Sequence, residues 1–205
     1  MLKVESIKTY NWLSAIKGMR NPLQSWDKMD SVEDNDQIVL GPNDKNLMIR
    51  LLKAGTEHRK YVRQIFVSFE VTAPIYWWKE FDQYKIGVTT NSTSTMHTIH
   101  KKPFKEEDFS FEHIDDKDKD YLLIRLNDLR ELYVSTSNKY DWYSLIQFLP
   151  SSYNQTRMVS CNFENLLNIV QQRQFHKLDE WHTFIDTLYE SIPFLKECIE
   201  ELADL

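Results

Sequence analysis

The chain has 205 residues, of which 41% are hydrophobic and 13% are aromatic, and its formal net charge at pH 7 is -6. This length and apolar content suffice for one core, so we predict that residues 1–205 form a single domain. The negative charge argues against a protein that wraps nucleic acid, because such proteins carry a basic stripe that neutralises phosphates. We therefore expect no nucleic-acid partner.

The few glycines and cysteines exclude further classes of protein. With only four glycines, the chain lacks the glycine-rich P-loop and the GxGxxG dinucleotide motif. Cys161 and Cys198 form no CxxC pair, so neither a disulfide framework nor a structural zinc site is expected. The N-terminus lacks a signal-peptide core, and no apolar run reaches the roughly 20 residues of a bilayer span. We expect a soluble, cytoplasmic protein with no membrane partner.

The first 60 residues predict a strand followed by two helices. The opening residues alternate as in a strand, and the segment NWLSAIKGM predicts a helix after it. The acidic segment Asp30–Asp36 predicts an exposed loop. In NDKNLMIRLLKAG, apolar residues recur at four-residue spacing, which predicts a helix that Asn43 caps and Gly55 ends.

The middle of the chain predicts a strand, a helix and a polar stretch. IFVSFEVTAP alternates in the two-residue period of a strand. Pro74 favours a helix start, and in PIYWWKEFDQY an aromatic stripe of Trp77, Phe81 and Tyr84 is typical of core packing. Seven of the eight residues at 89–96 carry a hydroxyl or an amide. Such side chains suit an anion or a nucleobase edge, although they are also common in ordinary loops.

The C-terminal half predicts mainly helices. HIDDKDKDY predicts a charged loop, and the following stripe of leucines from Leu122 predicts a helix. Three more helices are predicted near 162–173, 179–189 and 191–203. On the first of these, Asn162 and Arg173 are eleven residues apart, so they project within about 20° of each other, roughly 16 Å apart along the axis. That span suits the two ends of an extended ligand, and a surface Asn and Arg would look the same.

Two segments resemble the signature blocks of the flavin-dependent thymidylate synthases. They are FVSFEVTAPIYWWKEF and LPSSYNQTRMVSCNFENLLNIVQQRQFHKLDEW, in the family's order. The spacings from Pro150 to Asn162 and from Asn162 to Arg173 match the family, and the resemblance covers about residues 47–181. It implies an α+β fold, with a mixed sheet flanked by helices and a helical C-terminal half.

The resemblance also implies a homotetramer that binds FAD and a dUMP-like pyrimidine nucleotide at subunit junctions. Family members convert dUMP to dTMP with reduced FAD and methylenetetrahydrofolate, without a cysteine nucleophile. The family's RHR triplet is replaced here by Gln83, Tyr84 and Lys85, and the arginine of its NxR motif is replaced by Glu164. Arginine offers a forked donor that Lys85 replaces only as a point charge.

The resemblance assigns two groups of binding residues and leaves the catalytic residue unknown. Arg173 and Arg157 would hold the phosphate or base of the substrate, and Ser92–Thr95 would complete the phosphate cradle. Arg63 could face this pocket or pair with an acid outside it, and Glu57 and His58 could equally be a solvated helix start. The predicted substrate residues are Lys79, Lys85, Asn91, Ser92, Thr93, Ser94, Arg157 and Arg173. The predicted cofactor residues are His58, Arg63, Asn162, Asn168 and His176.

Three hypotheses about function remain open. The first is a divergent synthase that uses FAD to methylate dUMP. The second is a catalytically inactive protein that binds or sequesters a nucleotide on the same fold, which the loss of the flavin-contacting arginines favours. The third is a metal site at His97 and His100 with His176, but no third ligand is convincingly spaced, so we predict no metal. The composition, poor in glycine and rich in Lys, Asn, Asp and Ile, is typical of an AT-rich genome such as that of a phage.

Overall fold

The computed structural model describes residues 2–35 and 37–203, and within these ranges the chain forms six strands and nine α-helices. The strands are β1 (Lys3–Tyr10), β2 (Val32–Asp34), β3 (Gln37–Val39), β4 (Phe66–Pro74), β5 (Thr89–Ser92) and β6 (Asn154–Asn162). The helices are α1 (Trp12–Arg20), α2 (Pro42–Lys53), α3 (Ile75–Phe81), α4 (Thr95–Thr98), α5 (Asp116–Thr136), α6 (Lys139–Phe148), α7 (Phe163–Arg173), α8 (Asp179–Ser191) and α9 (Leu195–Ala203).

A four-stranded sheet has the order β1-β4-β6-β5, so β5 is an edge strand. Strand β4 buries alternate residues, Val67, Phe69 and Val71, as its two-residue period predicts. A second sheet is the antiparallel hairpin of β2 and β3, in which Val32 lies opposite Val39. The predicted α+β class, with a mostly helical C-terminal half, is confirmed.

The chain divides into two compact units. The first comprises Leu2 and Lys3, Val71–Gln83 and Asn91–Met158. The second comprises Val4–Glu70, Tyr84–Thr90 and residues 159–203. Strands β4 and β6 contribute residues to both units. That all 205 residues form one domain stays a prediction.

The aromatic helix α3 supplies one core of the first unit. Trp77 and Trp78 are fully buried, and their ring centroids lie 4.9 Å apart in an edge-to-face arrangement. Phe81 stacks on Trp77 at 5.2 Å. Such aromatic pairs stabilise the fold beyond the stabilisation that comes from burying their apolar surface. The predicted core role of these rings is confirmed, but the helix ends at Phe81, so Tyr84 lies beyond it.

A second core cluster of the first unit lies around the helical hairpin of α5 and α6. Leu126 and Leu129 of α5 pack with Leu145 of α6. Phe109 stacks on Phe111 with ring centroids 4.8 Å apart. The cluster explains why α5 keeps the leucine stripe that the sequence shows.

The second unit packs helices α1, α7 and α8 around aromatic contacts. Trp12 of α1 meets Phe163 of α7 edge to face at 5.5 Å. Phe184 of α8 contacts both Phe69 of β4 at 5.6 Å and Trp181 at 5.7 Å. The start of α7 is therefore fixed by buried rings, and that helix carries Arg173 at its last turn.

Several predicted boundaries are wrong. Asn43 lies inside α2, whose N-cap is Gly41, because the side chain of Asp30 accepts hydrogen bonds from the N–H groups of Asn43 and Asp44 instead. The acidic loop predicted at Asp30–Asp36 contains strand β2, and Asp36 lies outside the described residues.

The prediction of a charged loop at HIDDKDKDY is also wrong. Helix α5 already begins at Asp116, because acidic side chains in a first turn interact favourably with the helix dipole. The polar stretch after α3 is not all loop, since Thr89–Ser92 forms β5. No described helix combines the length and the apolar character needed to cross a membrane.

Both cysteines are buried, and burial raises their pKa. The thiol pKa of Cys161 rises to about 12, and that of Cys198 is also raised, first by burial and then by Glu197 and Glu201. Since the thiolate is the reactive form, we expect neither thiol to react with Ellman's reagent in the native protein at pH 8. Both should react at once in denaturant. Rapid release of thionitrobenzoate by the native protein would contradict this prediction.

Candidate functional site

The guanidinium of Arg173 is held in place by two aromatic side chains of the second unit. Its Nε donates a hydrogen bond of 2.9 Å to the Tyr84 hydroxyl. The guanidinium carbon lies 5.1 Å from the ring centre of Trp181 and 5.6 Å from that of Tyr84. We call these three residues the Arg173 cluster. Because Arg173 is only half-buried, the cluster presents a fixed cation at the protein surface.

The segment that carries Tyr84 and Lys85 is docked on the start of α7. The side-chain amide of Asn165 donates to the Ile86 carbonyl at 2.9 Å. Gly87 has a φ of 74°, and a Cβ there would lie 2.8 Å from the Asn165 Oδ1. Only glycine fits this conformation and approach without strain. Lys85 itself is exposed, and no described residue forms an ion pair with it.

Arg157 lies in the first unit and is engaged by three neighbouring groups. Its Nη1 donates to Asp82 at 2.7 Å, and its Nε donates to the Gln155 side chain at 3.0 Å. Its guanidinium carbon lies 4.2 Å from the ring centre of Trp78. These contacts fix the end of α3 to β6. The predicted contact of Arg157 with a substrate stays a prediction, and the structure shows what that contact would compete with.

The hydroxyl-rich stretch is divided between an edge strand and a helix cap. Asn91 and Ser92 are exposed on β5, and their side chains, like that of Lys79, have no hydrogen-bond partner among the described residues. Thr93 pairs through its backbone N–H with the carbonyl of Thr156 at 2.9 Å. The Ser94 hydroxyl accepts a bond from the His97 N–H at the start of α4.

The residues predicted to hold FAD are mostly engaged with protein groups. Glu164 pairs with Arg63 at 3.3 Å and with Arg59 at 3.2 Å. The Asn162 side chain caps α7 by accepting from the Asn165 N–H at 2.9 Å. A carboxylate that pairs with two arginines thus stands where the family resemblance implies a flavin contact. This arrangement does not fit the phosphates of FAD, so we derive no flavin step from it.

Three further cofactor predictions have different surroundings. The Nδ1 of His176 accepts a hydrogen bond from the Leu178 N–H at 3.2 Å, and Asn168 is exposed on α7. His58 is exposed and lines a cavity beside α2. Among the described residues, no three His, Cys, Asp or Glu side chains come close enough together to hold a metal ion.

The partners that position Arg173 and Arg157 were not predictable from the sequence. The sequence places Tyr84 in the aromatic stripe that is typical of core packing, and it places Trp181 only within a helix predicted near 179–189. Asp82 and Gln155 were not singled out at all. Only Tyr84 carried a signal, because it occupies the centre of the triplet that is RHR in the family.

The fold matches that of solved thymidylate synthases. Thymidylate synthase X from Helicobacter pylori, solved with FAD and dUMP, has a TM-score of 0.73 and 19% identity over 97% of this chain and 99% of that chain. A second structure of the H. pylori enzyme with both ligands has a TM-score of 0.72 and 19% identity over 96% and 97%.

A third solved structure is the UMP/dUMP methylase PolB from Streptomyces cacaoi, bound with 5-Br dUMP. It has a TM-score of 0.64 and 14% identity over 100% of this chain and 96% of that chain. The sequence matches no protein-family model and no curated protein. The chain therefore has the fold of the flavin-dependent thymidylate synthases. Sequence identities of 19% and 14% support this likeness of fold and nothing beyond it.

Proposed function

We propose that the chain binds a pyrimidine nucleoside monophosphate of the dUMP type and that Arg173 is its anchor. The Arg173 cluster carries this proposal, because it fixes a forked cation that suits the planar, bidentate recognition of a phosphate or a base. Lys85 follows Tyr84 directly and is exposed, so it can add a second positive charge. The solved neighbours bound to dUMP or its bromo derivative support the choice of ligand.

The other predicted substrate contacts, Lys79, Asn91, Ser92, Thr93, Ser94 and Arg157, lie in the first unit and stay separate proposals. The side chains of Lys79, Asn91 and Ser92 have no partner to give up among the described residues. Arg157 would have to give up its contact with Asp82 or share it. The homotetramer implied by the resemblance also remains part of the proposal, and the mass in solution, four times 24.6 kDa, would test it.

A second candidate function is the FAD-dependent methylation of dUMP. It is favoured by the two H. pylori neighbours, which were solved with FAD and dUMP. The pairing of Glu164 with Arg59 and Arg63 speaks against it. Nucleotide binding without catalysis, including sequestration of the nucleotide, is therefore the function that the geometry supports best.

A titration of the purified protein with dUMP, followed by calorimetry and by visible absorption with and without FAD, tests both candidates. We expect saturable dUMP binding and no flavin bands after unbound FAD is removed. Retained flavin bands would favour the synthase, and dTMP formation would then be assayed. Absence of dUMP binding with and without FAD would overturn the proposal.

A further inference from the structure

A large cavity of the second unit runs along the edge of strand β1. Its volume is about 1100 Å³, and it is lined by the end of β1, by the hairpin of β2 and β3, and by the turn between α8 and α9. None of the predicted substrate or cofactor residues lines it. Five consecutive residues, Ile7–Asn11, do line it, although successive side chains of a strand point to opposite faces of a sheet. The cavity therefore follows the backbone of β1, and we call it the β1 cavity.

The backbone of β1 has one edge that is free to pair with another strand. Within the described residues, β1 is the end strand of the four-stranded sheet and neighbours only β4. Alternate N–H and C=O groups of such a strand face away from its neighbour. No backbone group outside the sheet, among the residues that the structure describes, forms a hydrogen bond with the backbone of Ile7–Tyr10. An extended peptide could thus add to β1 as a further strand.

The C-terminal end of α8 gives the β1 cavity a negative corner. Glu190 lies in the last turn of α8, which contains no basic residue. Because the C-terminal end of a helix carries partial negative charge, an acid there is unfavourable unless a cation lies nearby. Glu200 lines the same cavity, and within the described ranges neither of these exposed carboxylates forms an ion pair. Burial, and then the charges of Glu200 and Asp186, raise the pKa of Tyr189 beside them.

The charges that line the cavity favour an extended cation. Four glutamates line it against two lysines, Lys8 and Lys196, and one of the four, Glu197, is paired with Lys45. Among the described residues, no three acidic, His or Cys side chains converge closely enough to hold a metal ion, so the carboxylates are spread out. The volume also exceeds the range of about 300–1,000 Å³ typical of small-molecule sites. A chain segment with separated positive charges matches both observations.

We propose that the β1 cavity binds an extended basic peptide segment of a partner protein, which pairs with the edge of β1 and places an arginine or lysine near Tyr189, Glu190 and Glu200. Ammonium and guanidinium groups are attracted both to the face of a tyrosine ring and to carboxylates. The buried side chains of Ile38 and Ile192 also line the cavity and suit the methylene stems of such residues. This site is separate from the nucleotide site proposed above.

Fluorescence anisotropy with the fluorescein-labelled peptide TRVRTRV tests this site. We expect saturable binding to the native chain, weakened at least tenfold by Glu190→Gln or by Glu200→Gln. Both side chains are exposed, so the variants should fold, which thermal unfolding would check. Glu131→Gln, at an exposed glutamate of α5 outside the cavity, is the matched control and should bind the peptide like the native chain. The dUMP affinity of Glu190→Gln should stay native, so the two proposed sites can fail separately.

Two N-methylated forms of the same peptide test the pairing with β1. One form carries N-methyl groups at its odd positions and the other at its even positions, so only one of them blocks the N–H groups that face β1. We expect that form to bind at least tenfold more weakly than the other. Equal binding of the two forms would contradict strand addition. If spermidine then also displaced the peptide, the cavity would be a site for small organic cations instead.

Two further outcomes would overturn the site as a whole. One is the absence of saturable binding of TRVRTRV to the native chain. The other is equal weakening in Glu190→Gln and Glu131→Gln, which would mean that the peptide is held by general charge attraction to an acidic protein.

Discussion

Replacing Arg173 by lysine is expected to weaken dUMP binding by about ten- to a hundredfold. Lysine keeps the charge but loses the fork, and hydrogen bonds to charged groups contribute about 1.5–3 kcal/mol each. It also loses the contact with the Tyr84 hydroxyl at 2.9 Å that fixes the guanidinium. Calorimetric titration of dUMP into the native chain and the variant measures the ratio of the two dissociation constants.

The matched control for this substitution is Arg125→Lys on the exposed face of α5. It makes the same chemical change outside the Arg173 cluster, so its dissociation constant for dUMP should be unchanged. A second variant, Tyr84→Phe, keeps the ring and removes only the acceptor of the Arg173 bond. It should weaken binding less than Arg173→Lys. Native affinity in Arg173→Lys would remove Arg173 as the anchor.

Most of the helices that pack on the core were predictable from the sequence, but α6, whose Leu145 lies in a core cluster, and the polar strand β6 were not. Helix α7 shows a clear stripe, with Phe163, Leu166 and Val170 all buried. Strand β6 begins with the polar residues NQTR, and its alternation of buried and exposed residues appears only near Cys161. Its partner strands β4 and β5 are distant in the sequence, so no local sequence pattern predicts the hydrogen bonds that join them to β6.

The candidate site was predictable only where spacing carried the signal. Arg173 was singled out because it lies eleven residues after Asn162, but its partner Tyr84 is 89 positions away in the sequence. Likewise Arg157 meets Asp82 across 75 positions. Asn162 matches the family pattern, yet it serves here as a helix cap. A residue of the right type at the right spacing thus identifies a candidate binding residue. Contacts with residues distant in the sequence decide which of its hydrogen-bonding groups are already engaged.

A buried ion pair fixes the start of α2. The Asp44 carboxylate is fully buried and accepts bonds from the Arg20 Nε at 2.7 Å and from the N–H groups of Asp30 and Ser31 at 2.9 and 2.8 Å. Gly41 approaches so closely that a Cβ there would lie 2.4 Å from the Asp30 carbonyl oxygen. The Asp44 carboxylate therefore joins the loop before α2 to the helix, together with the Asp30 carboxylate, which accepts from the N–H groups of Asn43 and Asp44.

Asp44→Asn is expected to lower the free energy of unfolding by about 3–5 kcal/mol, because it leaves Arg20 as an uncompensated buried charge. Burial by itself raises the pKa of Asp44. Hydrogen bonds from Ser31, from Arg20 and from the backbone of Asp30 and Ser31 lower it by more, so the pKa of Asp44 lies below 3.8. A lowered pKa stabilises the fold above pH 3.8, and this contribution is lost as the pH falls through the folded value. Urea unfolding at pH 7 and pH 3 should show the difference between native and variant shrinking with the pH.

The double variant Arg20→Gln with Asp44→Asn distinguishes the free-energy contribution of the two charges from that of burying the two side chains. Removing both charges leaves no unpaired ion, so the double variant should be more stable than Asp44→Asn alone. Asp128→Asn, at an exposed aspartate of α5, should change the free energy of unfolding by no more than about 0.5 kcal/mol. If Asp44→Asn instead unfolds like the Asp128 control, the carboxylate does not hold the loop, and the start of α2 must be stabilised by Asp30 and Gly41 alone.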